Sequence, residues 1–572
     1  MVLDQTGTVL LDPEIRAEVL PGGVLHLRDE RVARVSNTSA NTSAKDISEF
    51  DPIRLEVFSN RFASIGEQMG AVLRNTAVST NIKERLDYSC AVFDGQGGLV
   101  ANAPHIPVHL GAMSETVKAV RERFPDLAPG DVIVTNDPRC GGSHLPDITV
   151  VSPVFVLSER QENDTPAFFV ASRGHHADIG GVRPGSMPAD STSIDQEGVL
   201  LTPFKLVSKG QFDEEGLRAR LTAPPYPARN PDDNVADLEA MLAANNAGTR
   251  LLLELAQERG IEEVRLSMRE LQEAAAAKVG DVLERFADGQ FQFEDSLDDG
   301  TQICVSMNIT GRRMCIDFAG TAPASSSNTN APRAVVCAAV IYVLRALVDE
   351  SIPLNGGCLD PVEIRIPEGS LLDPPEGAAV VGGNVETSQR VVDVLLGALG
   401  VVAASQGTMN NITFGNANFG YYETLGGGSG AGPGFDGASA VHTHMTNTRI
   451  TDAEVLESRY PVRLEEFSVR SGSGGAGKWS GGEGLVRRYR FLEDVEVSLL
   501  TERRARAPYG LAGGRAGACG RNWVCRPGCL REELPGALNL SLPADSVLQI
   551  ETPGGGGYGE PTEAGQKTQN PS

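Results

Sequence analysis

Two short apolar runs that end in metal-binding residue types constrain this chain more than any other feature. The first, Asp131-Val-Ile-Val-Thr135, leads into Asn136-Asp137-Pro138 and Gly141-Gly-Ser-His-Leu-Pro-Asp147. The second, Ala167-Phe-Phe-Val-Ala-Ser172, leads into Arg173-Gly-His-His-Ala-Asp178. Short apolar runs bounded by turn residues read as buried strands, so Asp137 lies at the mouth of one strand and His175 just past the end of the other. Gly141 and Gly142 let the backbone turn sharply, and His144 and Asp147 follow three residues apart around Pro146. Loops at strand ends, held by a rigid sheet, are where sites are commonly built.

Three of the eight histidines fall in this stretch. Asp137, His144, Asp147 and His175 supply two carboxylates and two imidazoles, a donor set suited to a borderline divalent cation with an open position. A single His–Asp pair on a loop is more often a hydrogen-bonded turn; four donors at two strand ends carry the expectation. Asp147 either ligates or orients His144 from behind. His176 and Asp178 are either a general acid or base or structural neighbours.

Composition narrows the function. The 572 residues exceed what one small core can serve, so several packed layers are expected. With 50 basic against 75 acidic residues and a formal charge of −25, nucleic acid is an unsuitable partner. No apolar run is long enough to span a membrane and the first residues lack a secretory pattern, so a soluble, cytoplasmic protein is expected. Nine scattered cysteines, an odd number, argue for reduced thiols; Cys519, Cys525 and Cys529 lack the spacing of a zinc ribbon. Sixty-four glycines indicate tight turns and close backbone approaches in a sheet-rich enzyme.

The chain begins with short strands, Thr8–Leu11 and Val24–Leu27 among them, followed by a polar linker at 35–50. Leu55, Phe58, Phe62, Ile65, Met69 and Leu73 have helical spacing behind an Asp51-Pro52 start. A hairpin around Gly95-Gln-Gly-Gly98 leads to Ala103–Met113, where His105 and His109 are either satisfied buried histidines or line a cleft. Residues 184–204 are polar and turn-rich, as expected of a lid. Amphipathic helices are predicted over 234–259 and 261–287, then strands and a helix over 334–347. The run from Thr424 to Gly434 lacks the Lys-Ser/Thr ending of a phosphate-binding loop. Alternation places His442 and His444 on one face of a strand, with no matching carboxylate nearby in sequence. Residues 560–572 are expected to be disordered. These elements predict an α+β fold of multi-layer mixed sheets, packed long helices and glycine-rich loops.

Several blocks together resemble the hydantoinase B/5-oxoprolinase family: Asn81-Ile-Lys-Glu-Arg-Leu-Asp87, Pro104-His-Ile-Pro-Val-His-Leu-Gly111, Gly141–Asp147, Arg173–Gly181, His444-Met-Thr-Asn-Thr-Arg449 and Thr552–Gly559. The likeness spans 51–559, the expected catalytic region, and the wording of Asn81–Arg85, Ser172–His176 and Glu457–Pro461 is most similar to the oxoprolinase members. Residues 1–34 resemble the last strands of a hydantoinase A half.

The resemblance implies a hydantoinase B-like fold and the ring-opening part of an ATP-dependent cyclic amide hydrolase, yielding L-glutamate from 5-oxo-L-proline. ATP would be used by a hydantoinase A-like partner half, not bound here, and an oligomer is expected. It further implies metal ligands at Asp137, His144, Asp147 and His175 for Mn, Zn, Fe or Co, proton transfer by His176 and Asp178, and His109 in the cleft. The alternatives are a hydantoinase or ketone carboxylase subunit, or a non-catalytic partner that stabilises the ATP-binding half.

Overall fold

The apolar spacing after Asp51 forms helix α1 (Pro52–Thr76), which buries Phe58, Phe62, Ile65, Met69 and Leu73 on one stripe. The structure is a computed structural model that describes residues 51–103, 106–156, 165–348, 355–417 and 419–561, with four short strands before residue 30. The expected linker at 35–50, His105 and residues 562–572 of the expected tail lie outside the described residues. The chain divides into two units, Met1–Asp51 and Pro52–Ser572. In the first, Val2–Leu3 pairs with Thr8–Val9 and Ile15–Val19 with Leu25–Asp29, both antiparallel.

The second unit is built on a seven-stranded antiparallel sheet. Its strands are β1 (Tyr88–Asp94), β2 (Leu99–Asn102), β3 (Val132–Thr135), β4 (Asp147–Val154), β5 (Phe168–His175), β6 (Phe204–Ser208) and β7 (Gln211–Phe212), ordered β7-β6-β3-β4-β5-β1-β2. Side chains alternate across it. Cys90, Val92, Val150 and Val170 join the core shared with α1 and helix α3 (Pro231–Arg259). Ala91, Phe93, Val151 and Phe169 face helix α2 (Pro107–Arg123), through Met113, Val117 and Val120. Helix α4 (Ile261–Leu283) continues from α3 across Gly260.

Helix α5 (Arg333–Leu347) lies against α2 at Gly111, where a Cβ would come within 2.8 Å of the Ala338 backbone. A four-stranded sheet, Gly289–Ser296, Gln302–Thr310, Arg313–Asp317 and Val362–Arg365, and helix α6 (Ser388–Leu399) share a second core with α5. Two further sheets, of four and five strands, close on a third core containing Phe414, Tyr421, Tyr489 and Phe491. The fold is therefore the expected multi-layer α+β arrangement. Its glycine-rich stretches are crossings of backbone on backbone: a Cβ on Gly555 would meet the Ser429 carbonyl oxygen at 1.9 Å.

Two local expectations are corrected. Residues 184–204 are no free lid, because Met187, Ile194, Val199 and Leu201 are buried and the Glu197 carboxylate accepts from the amides of Val380 and Val381 at 3.0–3.1 Å. His442 and His444 are not on a strand: Val441 makes one bridge to Gly427, and His444 turns the chain with φ 56°.

Candidate metal centre

Three adjacent strand ends assemble the centre. Asp147 opens β4 and His175 closes β5, directly opposite each other in the antiparallel register. β1 lies on the other side of β5, with Tyr88 opposite Gly174, and the His175 amide donates to the Asp87 carbonyl at 3.0 Å. His144 reaches the same point from the turn that closes on Asp147, whose amide donates to the His144 carbonyl. His144, Asp147 and His175 each offer one ligand atom, all within 4.8 Å of one another, and all three side chains are buried.

The contacts inside this group are close without being ordinary hydrogen bonds. Asp147 Oδ2 lies 2.9 Å from His144 Nδ1, and Asp147 Oδ1 lies 3.4 Å from His175 Nδ1. Yet both ring nitrogens of His144, Asp147 Oδ1 and His175 Nε2 have no hydrogen-bond partner among the described residues. Buried polar atoms left without partners are costly, and two imidazoles with a carboxylate are the donor chemistry of Mn, Fe, Co or Zn. The residues present therefore fit a divalent cation.

Electrostatics favour an ionised Asp147 and a neutral His175. Burial opposes ionisation of Asp147, but His144 and His109 outweigh it and hold its carboxyl well below the usual range. Burial pushes the His175 imidazole down, against the partial pull of Asp147 and Asp87, so the ring is kept neutral. His109 stands in the first turn of α2, its Nε2 3.2 Å from Asp147 Oδ2 and its Nδ1 3.0 Å from Ser89 Oγ. An Nε2–H tautomer satisfies both partners, donating to Asp147 and accepting from Ser89.

The other expected residues lie elsewhere. Asp137 is buried, but its Oδ1 accepts the Arg139 amide at 2.9 Å, capping the turn Pro138–Cys140, and it is outside the three-residue group. His176 follows His175 by one residue and so points to the opposite face of the sheet, where Nδ1 meets Asn234 of α3 at 3.2 Å. Asp178 accepts from the amides of Gly180 and Gly185 and from the Arg229 guanidinium. The structure thus places His176 and Asp178 in structural contacts rather than in the cavity of His144, Asp147 and His175.

Among the residues lining that cavity that sequence reasoning missed are Asp87, Asn384 and Tyr422. Asp87 Oδ2 lies 3.8 Å from His175 Nδ1. Tyr422 stacks on the His175 ring, with centroids 4.9 Å apart and planes at 6°. Asn384 sits in a π-helical turn, Gly383–Thr387, a form often found at functional sites. The block Asn81–Asp87 was the available signal for Asp87; for Tyr422 the sequence offers none, because its approach is purely tertiary.

An antiparallel sheet whose strand ends converge on a buried imidazole–carboxylate group, within a multi-layer α+β fold, defines a protein built around a candidate metal centre. The chain belongs to the hydantoinase B/oxoprolinase family, whose model matches residues 51–561. It is 47% identical to 5-oxoprolinase 1 of Arabidopsis thaliana over 98% of this chain and 45% of that protein. It is 38% identical to an uncharacterised protein of Methanocaldococcus jannaschii, over 90% of this chain and 91% of the relative. Among solved structures, the ATP-dependent caprolactamase of Pseudomonas jessenii superposes with a TM-score of 0.81 at 26% identity, covering 91% of this chain and 93% of that one. The chain spans about half the length of the 5-oxoprolinases it matches.

Proposed function

We propose that this chain performs the ring-opening part of ATP-dependent lactam hydrolysis, converting activated 5-oxo-L-proline to L-glutamate beside a hydantoinase A-like half that uses ATP. The observation that carries the reading is the buried His144–Asp147–His175 group, in a chain similar over nearly its whole length to part of 5-oxoprolinase 1. The likeness to a caprolactamase, named as ATP-dependent, supports activated lactam chemistry over simple scaffolding.

In the net reaction water adds to the lactam carbon, the C–N bond breaks, the freed nitrogen takes up a proton, and the activating phosphoryl group leaves as inorganic phosphate. His144, Asp147 and His175 would hold the divalent cation, with Asp87 the nearest further carboxylate; when bound, such an ion polarises a carbonyl or phosphoryl oxygen and lowers the pKa of water. The chain's own residues prepare the site. His109 steadies the ionised Asp147, Tyr422 fixes the His175 ring, and Ile106, Val385, Met409 and Met445 line the cavity with apolar surface. Excluding bulk water in this way strengthens every charge interaction inside.

Elemental analysis of the purified chain tests the reading. Near-stoichiometric divalent metal is expected in wild type and its loss in His144→Ala and Asp147→Ala. No metal in wild type, even after reconstitution with Mn, Zn, Fe or Co, would sink it.

A further inference from the structure

The cavity at the His/Asp group has a volume of only about 20 Å³, room for no more than about one water. A cavity of about 630 Å³ adjoins it, and Thr446 lines both. This larger space is of the size that takes small molecules. One side is apolar, with Tyr342, Leu396 and Phe435; the other is the segment 442–446, with His442, Thr443 and Thr446. Two polar atoms of that segment, His442 Nδ1 and Thr443 Oγ1, lie buried just beneath the cavity surface and have no hydrogen-bond partner among the described residues. The turn that presents them is held with His444 at a left-handed φ of 56°, a conformation that costs energy in a non-glycine residue and tends to occur where function requires it.

Behind the wall stands a positive charge with no carboxylate partner among the described residues. Arg85 is fully buried; its guanidinium stands 4.8 Å over the Tyr422 ring and, among the described residues, donates to neutral oxygens only: Tyr422 O at 3.0 Å, Thr424 Oγ1 at 2.9 Å and Thr448 Oγ1 at 3.3 Å. Its Nε has no partner among the described residues. A buried charge without a counter-ion is unfavourable unless something compensates it. Because Arg85 donates to Thr424 and Thr448, those hydroxyls accept there and keep their protons to donate onward. Thr448 Oγ1 lies 2.9 Å from Thr424 Oγ1 and 3.4 Å from Thr446 Oγ1, so a Thr448 hydroxyl that donates to Thr446 carries the field of Arg85 toward the shared wall. Burial first, and then the field of Arg85, push the His442 imidazole down to about 4.

We propose that the larger cavity is an oxyanion subsite, in which His442, Thr443 and Thr446, backed by Arg85, hold the anionic group of the acidic lactam or of its phosphorylated form next to the His/Asp group. The proposal rests on the lactam reading and adds the basis of substrate selection. Its chemistry is shared by a carboxylate and a phosphoryl group, which can be told apart by separate probes.

The test is calorimetric titration of the metal-loaded full chain with L-glutamate, inorganic phosphate and the neutral lactam 2-pyrrolidinone. Thr443→Val and Thr446→Val are expected to weaken anion binding by about tenfold or more, while changing 2-pyrrolidinone binding by less than about twofold. Thr446→Ser, which restores the hydroxyl, should recover the wild-type affinity; a merely structural role would affect all three probes alike. Loss confined to glutamate assigns the subsite to the substrate carboxylate, loss confined to phosphate assigns it to the phosphoryl group, and loss of both supports the shared site. A metal-loaded wild type that binds neither anion, or valine variants that bind both as wild type does, overturns the proposal. Failure of the lactam reading shows separately, as wild type that retains no metal.

Discussion

Asp147 is the residue through which the centre is wired, since its carboxylate lies against His144, His175 and His109 at once. Asp147→Asn keeps its volume and removes its charge; we expect metal affinity to fall by at least about 10–100-fold, the loss typical even of supporting groups, as measured by chelator competition. A second buried charge cluster shows stability in place of function. Glu423 accepts from Arg487 Nε at 3.0 Å and Nη2 at 3.1 Å and from the Tyr489 hydroxyl, all of them buried. Glu423→Ala leaves the guanidinium unpaired and should cost about 3–5 kcal/mol in urea unfolding; a loss under about 1 kcal/mol would show that water or a neighbour compensates it.

At the scale of elements, strand alternation decides which histidine serves the centre. In sequence His175 reads as a metal ligand and His176 as a proton-transfer candidate beside it, but His175 ends β5 and the residue that follows projects to the opposite face. Inserting one alanine after Ala171 should therefore turn His176 toward α2 and His175 away from Asp147, abolishing metal retention while the N-terminal hairpin β1–β2 still folds; retained metal would place the ligands elsewhere. The loop before β4 is equally constrained. Gly141 has φ 78°, and a Cβ there would lie 2.4 Å from the Thr116 amide nitrogen of α2. Gly141→Val should displace the turn carrying His144, lowering the thermal midpoint and the metal content together.

At the scale of the whole molecule, the described residues form four hydrophobic clusters, and residues far apart in sequence, Asp87, His144, His175 and Tyr422, meet at the centre. An ion held only by the folded chain stabilises it: at about 100 times its Kd the gain is about 2.7 kcal/mol, which chelation should remove, lowering the unfolding midpoint. We also expect no ATP-dependent glutamate release from this chain alone and restored release when the hydantoinase A-like half is added; turnover by the isolated chain would show that activation does not require that half. No helix among the described residues is long and apolar enough to cross a membrane.

The sequence by itself determined the helix over Pro52–Thr76, the two long helices near 231–283 and the strands that end near Asp137 and His175, and it offered Asp137, His144, Asp147 and His175 as candidate ligands. Each is written in local periodicity or in ligand types a few residues apart, which is the range over which single-sequence patterns act. Family wording added the reaction class but could not assign every side chain. Only the tertiary structure removed Asp137 from the group, turned His176 toward α3, and brought in Asp87, Tyr422 and Asn384. Strand register, the face onto which a side chain projects and the packing of distant segments are cooperative properties of the folded sheet, so none of these placements is encoded in a local run of residues.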